Sequence, residues 1–367
     1  MENFISNSSG KVSQESGEVQ RNIALLFNAA LSEESADLIC NLQRTLSDDI
    51  DFTFIAVSEG FESPSLQKLK QFGLEILFVP PSPSEIRKKL CDLKIEVVHT
   101  VDTDCDHLAS SVVGSAAVKW IRTLAQNEKS EKSGWFNFFS GKRKEKAAAV
   151  VARNSDLFAS IKSEEVLSRH VVISNATAWQ NDEVDRLPNI KKSEVRIYWY
   201  GEVAEKNLDI FLRALTLVST TRPKFKLVVC GQSNLLEKIK IQAPVEWKLD
   251  TRLSDVAEDF LCDELRASQI YLNFSDKKGV SLRLLQAMRA GLAVISADSI
   301  LPEDFVSEKN VLYFNKNDVL SVSLVLTRLY DDPSLISRLG AAAKDLFAQK
   351  FSFDQVIDKY RTLYRMV

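Results

Sequence analysis

The sequence predicts an α/β protein made of two doubly wound parallel-sheet domains. Three observations predict it. Short apolar runs alternate with amphipathic stretches from about Arg21 to the end, the alternation restarts near Val195, and a polar, proline-containing segment (181–193) lies between the two series. A parallel strand is covered on both faces and so reads as a continuous apolar run; repeated strand–helix–strand units then wind into one sheet with helices on both sides. The length, 367 residues, agrees with two domains at roughly 150 residues each. The expected organisation is a loose tail over 1–20, one domain over 21–185 and a second over 195–367.

In the first series, Ile23-Ala24-Leu25-Leu26-Phe27 is a buried strand. Ser32 is placed to cap the next helix, with Glu33 and Glu34 favourable in its first turn and Ile39, Leu42 and Leu46 at helical spacing. A strand over 52–57, a helix over 66–72 ended by Gly73, and a strand over 76–79 follow. Pro80-Pro81-Ser82-Pro83 breaks the chain and Ser84 is the expected cap of the next helix. Val97-Val98-His99 and residues 120–124 are further strands. In the second series, a strand over 195–200, a helix over 208–220 and a strand over 226–230 are followed by strands over 245–249, 270–274 and 292–296. Three helices close the chain, the last over 354–364. Gly201, Gly231 and Gly291 stand at strand or helix ends, where a chain of this class turns and where its ligands bind.

Composition narrows the function. With 47 basic and 50 acidic residues the net charge is −3, so the chain is not built globally to coat nucleic acid. No Gly-x-Gly-x-x-Gly follows the first strand and no Walker loop occurs, which argues against a dinucleotide oxidoreductase or a P-loop enzyme. No run of about 18 apolar residues predicts a membrane-spanning helix. The polar, acidic first twenty residues are unlike a signal peptide, so a cytoplasmic location is expected. Cys40, Cys91, Cys105, Cys230 and Cys262 are scattered without a Cys-x-x-Cys pair, which predicts neither disulfides nor zinc. Most are expected to be buried, Cys230 above all. His99, His107 and His170 are too dispersed for a local metal motif. The acidic stretch Asp102-Thr103-Asp104-Cys105-Asp106 beside His107 reads either as a cation site or as a loop capping a helix.

Residues 128–146 break the pattern. Trp135, Phe136, Phe138 and Phe139 are followed at once by Lys142, Arg143 and Lys144. Aromatic rings beside cations suit an anionic membrane surface, peripheral on its inner face, where each cation adds about 1 kcal/mol. The alternatives are a loop whose rings fold back onto the domain or cover the cleft, or a contact with a protein partner.

The second series carries the most specific signal. Gly201 is followed by Lys206-Asn207-Leu208-Asp209, then Leu227-Val228-Val229-Cys230-Gly231-Gln232. Ile270 to Ser275 leads into Gly279-Val280-Ser281-Leu282-Arg283-Leu284-Leu285-Gln286-Ala287-Met288-Arg289-Ala290-Gly291. Order and spacing resemble the donor-binding domain of glycosyltransferase family four (group 1), the retaining sugar transferases of the GT-B fold. That resemblance implies two Rossmann-like domains facing across a cleft, with the N-terminal one on the acceptor side and the last helix packing back on it. It also implies a nucleoside-diphosphate sugar donor, no metal and no other cofactor. It places donor contacts at Gly201, Glu202, Lys206, Gly231, Ser275, Lys278, Gly279, Ser281, Leu282 and Gln286.

The frame is kept and the chemistry is changed. Family members have an Arg at the position of Glu202 and glutamates at those of Lys278 and Gln286, the first for the sugar and the second for the ribose. Ser281 replaces a glycine, Ser299-Ile300 replaces a glycine pair, and Ala125-Gln126 stands where a histidine is expected. Residues 28–34 lack the small glycine-rich loop used near the donor. A leaving diphosphate needs cations and helix N-terminal amides, and Glu202 would repel it. Two readings stand. In one, a working transferase uses Lys206 and Lys278 for the diphosphate, Gln286 for the ribose, and the amides of Ser281 and Leu282 for the anion. In the other, which the departures favour slightly, a degenerate relative acts as a partner or regulator of an active transferase.

Overall fold

The computed structural model of the chain describes residues 21–58, 62–101, 105–124, 147–153, 170–173, 195–200, 205–222, 225–231, 233–242, 248–253, 263–275 and 279–367. They form two all-parallel sheets. The first contains β1 (Arg21–Asn28), β2 (Ile50–Val57), β3 (Ile76–Val79), β4 (Val97–Thr100), β5 (Lys119–Leu124), β6 (Ala149–Ala152) and β7 (His170–Val172), in the order β3-β2-β1-β4-β5-β6-β7. The second contains β8 (Val195–Tyr200), β9 (Phe225–Gly231), β10 (Lys248–Leu253), β11 (Ile270–Asn273), β12 (Ala293–Ala297) and β13 (Leu312–Phe314), in the order β10-β9-β8-β11-β12-β13. In each, the chain winds outward in one direction and then restarts in the other. The switch points are β1/β4 and β8/β11, the places where this architecture binds ligands.

Side-chain alternation explains the two-faced cover. Ile23, Leu25 and Phe27 of β1 enter one core while Ala24 and Leu26 enter the other, all fully buried. Each large side chain so buried contributes about 1.5–3 kcal/mol. The first face is covered by α1 (Glu33–Leu46) and α2 (Pro64–Gln71), the second by α3 (Pro83–Asp92) and α4 (Asp106–Ala116). On the second sheet, α5 (Glu205–Ser219), α6 (Ser233–Gln242) and α8 (Val319–Asp331) cover one side and α7 (Leu282–Arg289) the other. Helix α9 (Pro333–Leu346) contributes to both cores, and a π-helical turn, Phe347–Phe351, leads into α10 (Phe353–Met366). Val356, Ile357, Tyr360, Leu363 and Tyr364 of α10 bury themselves in the core of the first sheet.

Local signals are realised in detail. Ser32 Oγ accepts from the Ser35 amide at 3.2 Å, and Gly73 ends its helix at φ +91°. Met288, Leu285 and Cys230 are buried. Two expectations need correction. Helix α3 is capped from Ser82, not Ser84, because Pro83 fits its first position, where a missing N–H costs nothing. The strand expected over 245–249 is Lys248–Leu253, an edge strand too polar to mark its own ends. As expected of most of the cysteines, Cys40 and Cys105 are buried like Cys230, while Cys91 is exposed. Asp106, from the acidic stretch, lies in the first turn of α4 and pairs with Arg122, while residues 102–104 of that stretch lie outside the described residues. Among the described residues there is no cluster able to hold a metal, and no helix long and apolar enough to cross a membrane.

Candidate functional site in the interdomain cleft

The strand β11 delivers the chain to the ligand edge of the second sheet. Asn273, buried at its end, donates Nδ2 to Ser296 Oγ on β12 at 3.0 Å, which ties the two strand tips together. Ser275 follows two residues on. Gly279 then turns at φ +109°, a conformation that excludes side chains, with its amide donating to the Ile300 carbonyl at 2.8 Å. Ser299, beside that carbonyl, takes φ +61° where family members have glycine. Ser281 caps α7, its Oγ accepting from the Leu284 amide at 3.2 Å. That hydroxyl also meets the phenol of buried Tyr271, whose pKa burial raises to about 12. The turn is therefore fixed by side chains where the family uses glycines.

Behind the cap, α7 is almost wholly buried. Gln286 is 1% exposed and Arg283 8%. They lie three apart, on one face of the helix, and Arg283 Nη1 donates to Gln286 Oε1 at 2.9 Å. The guanidinium carbon of Arg283 lies 4.9 Å from the centroid of the Tyr200 ring, within cation–π range. Its Nη2 is 3.9 Å from Glu33 Oε1, across the cleft in the first turn of α1.

The first domain offers carboxylates to this edge. Asn28 Oδ1 accepts from the Ala30 amide at 2.9 Å, so the turn after β1 is closed by a side chain, and Ala29 and Leu31 are buried beneath it. Glu34 Oε2 is 3.5 Å from Nη1 of Arg153, which is 7% exposed at the end of β6 and also donates Nη2 to Ser35 Oγ at 3.2 Å. Glu34, Asp37, Asn41, Arg153, Leu282 and Tyr360 line a cavity of about 10 Å³ between the domains. That is room for about one water.

Of the residues singled out in the sequence, Gly279, Ser281, Leu282 and Gln286 come together at this edge, with Ser275 at its approach. Gly231 closes β9 and Lys206 lies in the first turn of α5. Gly201, Glu202 and Lys278 lie outside the described residues, as do Trp135, Phe136, Phe138, Phe139, Lys142, Arg143 and Lys144. Sequence reasoning missed Arg153, Glu33 as a cleft residue, and the Arg283–Gln286 pair. The i,i+3 spacing of that pair was its only available signal, because the others meet through tertiary contact.

Residues 194–332 match the family described as glycosyl transferases group 1. That stretch is similar to group 1 glycosyl transferases. Its fold is GT-B, seen over nearly the whole chain in solved structures. HepE of Anabaena in complex with UDP superposes with a TM-score of 0.72 at 10% identity, covering 94% of this chain and 100% of that one. The apo form of the lipopolysaccharide outer core galactosyltransferase WaaB gives 0.72 at 12% identity, over 94% and 100%. A glycosyltransferase from Rickettsia africae gives 0.69 at 14%, over 95% and 98%. No curated protein sequence matches the chain. Within the matched stretch, α7 is the helix whose N-cap and second turn carry the motif positions Ser281 and Gln286.

Proposed function

We propose that this is a GT-B protein whose donor cleft no longer transfers sugar, and that it works as a non-catalytic partner or regulatory subunit of an active glycosyltransferase. One observation carries the reading: the motif position Gln286 is buried and hydrogen-bonded to Arg283, so the side chain that would meet a ribose is engaged within its own helix. A neutral amide also accepts a hydroxyl's hydrogen bond less strongly than a carboxylate, and Glu202 brings negative charge to the diphosphate side. Loss of two carboxylates and gain of a third in the wrong place each cost a few kcal/mol of donor or transition-state binding. The run from Trp135 to Lys144 has the basic and aromatic composition that suits contact with a partner or an anionic membrane.

The second reading, a retaining transferase moving sugar from a nucleoside-diphosphate sugar, is favoured by the group 1 match and by a neighbour that binds UDP. Lys206, Lys278 and the α7 amides would then hold the diphosphate and Gln286 the ribose. The two readings are separated by incubating the protein with UDP-, GDP- and ADP-sugars and following nucleotide release. The non-catalytic reading expects no release above a protein-free blank; steady release from one donor contradicts it.

A further inference from the structure

Two nearly buried arginines, one from each domain, meet the first turn of a single helix. Arg283 of α7 reaches Glu33 at 3.9 Å and Arg153 of β6 reaches Glu34 at 3.5 Å. The arginines are held from behind. Arg283 is fixed by Gln286 and lies over Tyr200, and Arg153 bonds Ser35. The carboxylates are not held in the same way, since the side chains of Glu33 and Glu34 are 50% and 40% exposed. Glu33 is also shared with Lys68, at the same 3.9 Å. Rigid cations facing movable anions are the arrangement of a site whose anion can be exchanged.

We infer that Glu33 stands, as an internal anion, in the place of a ligand phosphoryl group at Arg283, so that the cleft is closed by its own carboxylate until an anionic ligand displaces it. The inference rests on the reading of a cleft that has lost its donor chemistry, and it supplies a physical reason for a silent site. A phosphoryl group entering between α1 and α7 meets the Arg283 guanidinium on one side and is repelled by Glu33 on the other. The small cavity beside Leu282 and Arg153 is lined by Glu34, the neighbour of Glu33.

The test is calorimetric titration of the full chain with inorganic pyrophosphate and, separately, with UDP, comparing the wild type with Glu33→Gln. Glu33 is half exposed, so this variant keeps the fold, which circular dichroism verifies. Removing the competing charge is expected to raise affinity about tenfold. A gain for both ligands assigns the site to the phosphoryl group itself, and a gain for UDP alone assigns it to a nucleotide that also uses the rest of the cleft. Adding Arg283→Gln to Glu33→Gln should abolish the gain. A folded Glu33→Gln protein no tighter than wild type for either ligand overturns the inference while leaving the non-catalytic reading intact. Sugar turnover by the wild type would overturn that reading and, with it, this inference.

Discussion

His99 Nδ1 and the Tyr364 hydroxyl lie 2.7 Å apart, although 265 residues separate them in the chain. His99 ends β4 in the first domain and Tyr364 belongs to the last helix, so the bond fastens α10 to a sheet at the opposite end of the sequence. The other ring nitrogen meets Thr123 Oγ1 at 2.7 Å. Tyr360 packs beside the same ring. Strand β1 and helix α10 thus belong to one core. Lys119 adds a second link by donating to the main-chain oxygen of Val367.

This burial makes His99 an acid-sensitive point. Desolvation, helped by the positive charge of Arg153, lowers its pKa from 6.5 to about 3. In the unfolded chain it takes a proton below about pH 6.5, whereas in the fold it does so only near 3. Stability is therefore full above the unfolded value and falls as pH drops through that window, by roughly a kcal/mol per pH unit. Urea unfolding at neutral pH and near pH 5 should show a smaller acid loss for His99→Asn than for wild type. Equal losses would contradict the assignment.

A Cβ on Gly340 would stand 2.2 Å from the Gly291 carbonyl oxygen, which is main chain and cannot swing aside. Helix α9 packs this closely on the turn that follows α7. Gly340→Ala should therefore destabilise the second domain by about 1–3 kcal/mol despite the better helix propensity of alanine. Chemical denaturation that finds it neutral would show the turn to be more yielding than its packing implies.

Arg122 and Asp106 form an ion pair with both side chains 2% exposed. Thr100 Oγ1 donates to the carboxylate at 2.6 Å and accepts from Trp120 Nε1 at 3.1 Å. Removing one charge takes an ion-pair partner from the other in a site without solvent. Asp106→Leu alone should cost about 3–5 kcal/mol, and adding Arg122→Met should recover much of it. A double variant as unstable as the single one would show that the network matters beyond charge balance.

The N-cap of α7 is worth less to stability and more to the cleft. Ser281→Ala removes the acceptor for the Leu284 amide and should cost about 1 kcal/mol. It also removes the hydroxyl bonded to Tyr271. Thermal unfolding measures the first effect, and a loss under about 0.3 kcal/mol would mean that another group takes over the cap.

Much of the fold was legible in the sequence because parallel strands are covered on both faces. Ile23 to Phe27 and Leu227 to Cys230 are apolar at every position and admit few other readings. Strand β6 was not legible: its sequence AVVA follows five charged residues and further alanines, so it resembles a helix start as much as a strand. Nor was β13, three residues whose strand character comes from pairing with β12. The motif positions on α7 were found by spacing, because a cap and a buried helix face are local. Arg153, Glu33 and the small cavity were not, because they meet only after two domains and α10 have packed.

Restoring the motif chemistry reverses the argument. The triple change Glu202→Arg, Lys278→Glu and Gln286→Glu should create nucleotide-sugar binding where the wild type has none, since it returns a cation to the diphosphate side and both carboxylates to the motif. A folded triple variant that stays silent would place the loss elsewhere in the cleft, and the closing carboxylate Glu33 would be the next to change.

The most direct test of the central claim is calorimetric binding of UDP, GDP, ADP and their common sugar conjugates to the purified wild-type chain. A protein with a self-closed cleft and altered motif residues gives no micromolar binding across the panel while remaining folded. Micromolar affinity for one nucleotide, strengthened by its sugar, would contradict the account and restore an active transferase as the better reading.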